Sequence, residues 1–150
     1  MSTPADLYEQ DFYAWTQAQA ALLRAGDVAA LDHDHVAEEL ESMGRRERHE
    51  LIHRLAVVLI HLLKWQHQPS RRGRSWQLTI KEQRRQTARV LQDNPSLKAH
   101  LDQILGEAYG DAVIGAARET GLDEAAFPAS CPFSLEQILS DRYWPGGSDA

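Results

Sequence analysis

Apolar residues return every three to four positions along nearly the whole chain, and no stretch alternates with period two between turn residues. This pattern predicts helices and no strands. Asp6 can cap a first helix that carries Leu7, Phe12, Trp15 and Leu22 to about Arg24, with Gly26-Asp27 ending it. Asp32 or Asp34 can cap a second, with Val36, Leu40 and Met43 as its apolar positions and Gly44 as a break. A third, long helix runs from about Arg45 to Trp65, or continues the second. Its core stripe is Leu51, Ile52, Leu55, Val58, Leu59 and Leu62.

Pro69 and Gly73 mark the next loop, and Ser75 opens a fourth helix to about Gln92. Pro95 suits the first turn of a fifth helix, which Gly121 closes after Thr120. Ser134 opens a short sixth, with Gln137 in the capping-box position. Long helices with short connections predict an all-α single domain over residues 1–150, a mainly antiparallel bundle of five to six helices. The ordered core is expected over about 6–145, with a loose C-terminal tail.

Several polar residues fall where such a bundle would place leucine. Glu39 borders the apolar face of the second helix, and Thr79, Gln83 and Thr87 share a face with Trp76, Ile80 and Val90. Buried polar groups need partners. A network joining Glu39 to Gln83, Arg84, Thr79 or His61 is therefore expected, either fixing helix register or lining a small cleft where Glu39 and His61 hold a ligand. Register fixing is the preferred reading.

Charge is unevenly placed. The 150 residues carry a net −6, yet twelve Lys/Arg and three acids lie between Arg45 and Arg89, leaving +9 there and −15 elsewhere. Such segregation suits an oriented partner, or acidic helices packed on basic ones. Arg71, Arg72, Arg74 and Arg85 could contact phosphates, but the chain is acidic, Trp76 is expected in the core, and no nucleic-acid module is evident. No apolar run approaches membrane length, and the opening MSTPADLYEQDF has no secretory pattern. The single cysteine, Cys131, excludes an internal disulfide and has no flanking base to activate it. A cytoplasmic protein is expected.

Residues His49 to His53 read HELIH, the H-E-x-x-H spacing that sets two imidazoles on one helix face with Glu50 as a general base. Three features oppose a zinc site. No third ligand is singled out, with Glu82 only a candidate; no sheet is predicted beside the helix; and His49 and His53 point away from the core stripe, with Lys64. Glu50-x-x-His53 also matches half of a di-iron motif, but the second copy is missing. The run Asp32-His33-Asp34-His35 cannot converge on a metal if helical, so a capping role is expected. No cofactor is expected.

Short motifs in order carry a resemblance. Leu7-Tyr8-Glu9-x-Asp11-Phe12-x-x-Trp15, Glu38-Glu39-Leu40-Glu41-Ser42-Met43-Gly44-Arg45, His61-Leu62-Leu63-Lys64-Trp65 and Arg74-Ser75-Trp76-x-x-Thr79-Ile80 resemble the bacterial family known as domain of unknown function number twenty-nine. Gln83-Arg84, Asn94-Pro95-Ser96-Leu97, Glu119-Thr120-Gly121 and Phe127-Pro128-x-x-Cys131-Pro132 extend the likeness from about Leu7 to Pro145. The resemblance implies a small, all-helical, cytoplasmic bacterial protein with no catalytic residues to carry over. It includes Glu39, Gly44, His61 and Trp76 but not His49 or His53.

The function expected from these features is a protein-interaction or regulatory module, binding a protein partner or a second copy of itself. The alternatives are a metal-dependent, hydrolase-like enzyme using the inward polar set or HELIH, and a nucleic-acid-binding protein using residues 45–89.

Overall fold

The structure, a computed structural model, describes residues 4–146. Among them are six α-helices and no strand: α1 (Pro4–Gln10), α2 (Phe12–Ala25), α3 (His33–His67), α4 (Arg74–Asp93), α5 (Leu101–Thr120) and α6 (Leu135–Leu139). The fold is all-α. The tail expected to be loose lies, beyond Gly146, outside the described residues. The chain divides into two compact units, Met1–Arg46 and Glu47–Ala150, and α3 contributes to both.

In the N-terminal unit the single helix expected from Asp6 to Arg24 is two. Asp11 leaves helical geometry (φ −150°, ψ 84°), and its carboxylate accepts from the Ala14 amide at 3.1 Å, starting α2. An aspartate at this position supplies one of the amide partners a new helix lacks. Gly26, at φ 74°, ends α2 by donating to the Leu22 and Leu23 carbonyls. The expected break at Gly44 is absent, and α3 is one helix of 35 residues. A glycine inside a helix costs only about 1 kcal/mol, which flanking helical residues overcome. Leu40 and Met43, expected in the core, are 61% and 55% exposed.

In the C-terminal unit the expected stripe on α3 is the core. Leu51, Leu55, Val58, Leu59 and Leu62 are fully buried, and Ile52 nearly so. Ile80 and Leu91 from α4 and Ile104, Ala108, Ala112 and Ala116 from α5 close over them. Side-chain contacts give the helix directions. Trp65, Arg54 and Glu47 of α3 meet Arg72, Gln83 and Asn94 in that order, so α4 runs antiparallel to α3. Arg48, Ile60 and Lys64 meet Glu107, Gly115 and Glu119, so α5 runs parallel to α3. Two reversals make an up-down-up arrangement. Alanines on α5 and Gly115 allow close approach: a Cβ on Gly115 would fall 2.5 Å from Cδ1 of Ile60.

Pro95 starts a 3-10 turn (Pro95–His100), and α5 begins at Leu101 rather than at the proline. Gly121 (φ 76°) ends α5 as expected. Ser134 and Gln137 form the expected capping box of α6.

Candidate functional site

Unit by unit, the polar residues sort into three groups. In the N-terminal unit, Trp15 and Gln19 sit one turn apart on the buried side of α2. The Trp15 indole donates to Oδ2 of Asp32 at 3.0 Å, and the Asp32 amide donates to Oε1 of Gln19 at 2.8 Å. Nδ1 of His35 meets the same Oδ2 at 2.7 Å. The Tyr8 ring stacks on His35, with centroids 3.9 Å apart, and the Tyr8 hydroxyl donates to Oε1 of Glu39 at 2.5 Å.

The electrostatics follow from these contacts. The hydrogen bond to the Glu39 carboxylate, with burial, pushes the Tyr8 hydroxyl up to about 12. Burial pushes the Asp32 carboxyl up, but bonds from His35 and Trp15 together outweigh it and hold it below its ordinary value. The bond to Asp32 raises His35 against the opposing effect of burial. An imidazole paired through Nδ1 with a carboxylate leaves Nε2 as its second proton-exchanging atom. Sequence reasoning gave Asp32 a capping role and missed its pairing with His35. The usable signal was the i, i+3 spacing, which brings the two together on the first helical turn.

The second group is the polar set expected to join Glu39, His61, Thr79, Gln83 and Arg84. No hydrogen bond among the described residues joins any two of the five. Glu39 is taken by Tyr8. Nδ1 of His61 meets the Val57 carbonyl at 2.8 Å one turn earlier, and burial holds its imidazole below the ordinary value. Thr79 donates to the Ser75 carbonyl of its own helix, and Gln83 accepts from Arg54.

Arg84 is buried, 3% exposed, and donates to the carbonyls of Ile138 (2.7 Å), Gln137 (3.1 Å) and Tyr143 (2.9 Å). Burial lowers its guanidinium below the ordinary value. It fastens the chain around α6 to α4, a long-range role that no local spacing discloses. Arg72 likewise uses a carbonyl, that of Trp65, at 2.7 Å. Among the described residues neither makes an ion pair with an acid. Arg71, Arg74 and Arg85 are exposed.

The third group surrounds HELIH. His49, Glu50 and His53 are exposed, as helix phase requires. Yet the two histidines do not face open solvent alone. They rim a groove between α3 and α5, floored by Ile52, Ala56 and Ile60 and bounded across by Asp111, Ile114 and Arg118. Glu82, the candidate third ligand, lines a different surface on α4 with Arg85 and Arg89. Among the described residues no three His, Cys, Asp or Glu side chains are grouped to hold one metal ion.

Lys64, expected beside the histidines, is buried instead. Its ammonium lies 3.4 Å from Glu119 and 4.6 Å from the centroid of the Trp76 ring. A long apolar stem permits burial when the head finds such partners. Trp76 itself is half-buried. Burial raises the Cys131 thiol, which is not an activated one. No described helix is long and apolar enough to cross a membrane.

The all-helical fold agrees with the resemblance carried by the sequence motifs. The chain belongs to the family described as Domain of unknown function DUF29, which it matches over residues 7–144. Neither a curated protein nor a solved structure matches it significantly.

Proposed function

We propose that the protein is a cytoplasmic interaction module that docks a protein partner through its N-terminal unit. One observation carries the reading. Among its described residues this unit buries only Trp15 and Gln19, and leaves Phe12 (47%), Tyr13 (74%), Leu23 (54%), Val28 (57%), Leu40 and Met43 in water. Among the described residues, six of the nine large exposed apolar side chains thus fall in this unit. Short units seldom bury a core of their own, and large apolar groups left in water mark interaction surfaces. The Tyr8–Glu39 and Trp15–Asp32–His35 contacts hold the helices that present these groups. The unit also holds nine acids and three bases, the whole of the chain's net −6, which selects a basic partner surface. The cytoplasmic location rests on the single cysteine and the absence of a membrane-length apolar helix among the described residues.

The test is photo-crosslinking in cells from a reactive side chain at position 40, with exposed Asp102 as the control position. A discrete adduct from position 40, lost with Met43→Glu and absent from position 102, supports docking. No adduct from position 40, 23 or 12 overturns it.

A further inference from the structure

We infer that the partner is a second copy of this chain, whose α4 supplies the face that the N-terminal unit docks against; this rests on the docking reading above. Two exposed stripes of opposite charge carry the inference. On α3, Asp34, Glu38 and Glu41 recur at i, i+4 and i+7, so they share one edge of the helix. On α4, Arg74, Leu78, Lys81, Arg85 and Arg89 recur at i, i+4, i+7, i+11 and i+15, a straight row about 22 Å long at 1.5 Å per residue. All eight residues are exposed, Leu78 by 50%.

Among the described residues, none of these acids or cations makes an ion pair, whereas Arg48, Arg54 and Lys64 have each found a carboxylate. Both rows advance in steps of three or four residues, so two carboxylates one turn apart, such as Asp34 and Glu38, can meet two cations one turn apart, such as Lys81 and Arg85, without either helix bending. Leu78 places an apolar group within the basic row, suited to the apolar groups of the N-terminal unit. A basic row could also take a nucleic acid, but the N-terminal unit, which carries the whole net −6, repels a polyanion and attracts the basic row of another copy. A two-fold pair of chains makes the contact twice, each unit docking on the other's α4, and so closes without leaving a row unfilled.

The experiment measures mass by sedimentation across micromolar concentrations, at low and high salt, for three proteins. These are the natural chain, a Glu38→Lys/Glu41→Lys variant and a Lys81→Glu/Arg85→Glu variant. All four sites are exposed, and circular dichroism verifies that the helices persist. The natural chain should dimerise, more weakly at high salt. Each variant alone should dimerise at least about tenfold more weakly, because attractive contacts become repulsive ones. Mixing the two variants should restore association, since both contacts of the mixed pair are again opposite in sign.

A natural chain that stays monomeric, or variants that dimerise as well as it does, would overturn the inference. So would a DNA duplex that binds the natural chain and not the Lys81→Glu/Arg85→Glu variant, since it would give the row to nucleic acid. If the chain is monomeric while position 40 still crosslinks to another protein, the second copy is wrong and the docking reading stands. If positions 40, 23 and 12 all yield no adduct, both fall.

Discussion

Tyr8 donates its phenolic hydrogen to Glu39 while its ring lies flat on His35, the two rings 9° from parallel. One residue of α1 thus holds two positions one turn apart on α3. Tyr8→Phe keeps the ring and removes the hydroxyl, so it separates the two contacts. Amide exchange in α1 should quicken several-fold in Tyr8→Phe, with the C-terminal unit unchanged. Glu39→Gln should do less, because its amide oxygen still accepts. Equal protection in Tyr8→Phe and the natural chain would mean the hydrogen bond does not hold α1.

The Asp32–His35 pair gives the N-terminal unit a pH optimum. His35 is raised in the fold, so its stabilisation is full below the ordinary 6.5 and is lost as pH rises through the folded value. Asp32 is lowered, so its contribution is present above the ordinary 3.8 and is lost as pH falls through its folded value. The unit should be firmest between those limits. The indole proton of Trp15, bonded to Asp32, reports this by NMR. In His35→Gln the loss on the alkaline side should disappear and the acid limb remain.

His61 predicts the opposite slope for the C-terminal unit. Its folded value lies below 6.5 because burial disfavours the cation. The stability it confers is full above 6.5 and is lost as pH falls through the folded value. Thermal melts should therefore fall on mild acidification, and His61→Gln should flatten that dependence.

Arg84 holds three carbonyls of the segment around α6. Truncation leaves those acceptors short of donors in a buried place. Arg84→Ala should cost about 3–5 kcal/mol in urea unfolding. Arg84→Lys should recover only part of this, because a single ammonium cannot span the three acceptors. A loss below about 1 kcal/mol, the net value of an ordinary hydrogen bond, would show that the arginine is not what fastens the segment.

Thr87 is fully buried on α4, and its hydroxyl has no hydrogen-bond partner among the described residues. Thr87→Val replaces the hydroxyl by a methyl of similar size. It should stabilise the protein by about 1 kcal/mol, measured in the same unfolding series. A destabilised Thr87→Val would show that the hydroxyl has a partner, such as an ordered water.

The sequence by itself determined the helices and most of their ends, because those depend on residues within a turn of one another. Ser134 with Gln137 and Gly121 are local devices that act whatever surrounds them. The buried stripe from Leu51 to Leu62 was legible for the same reason: a helix of fixed period turns apolar spacing into a face. The family was legible from motif order, and the match over residues 7–144 establishes it.

Tertiary structure alone decided which polar groups meet. Glu39 could be placed beside an apolar face, but its partner, Tyr8, is 31 positions away, and Arg84 reaches carbonyls 53 to 59 positions on. Backbone carbonyls carry no side-chain signature, so no pattern could name them. Leu40 and Met43 have the spacing of core residues and lie in water, since periodicity marks a face and not what covers it. The groove beside His49 and His53 arises because Gly115 and the alanines of α5 let it run close along α3. Helix pairing, unlike helix formation, is fixed by contacts far apart in the chain.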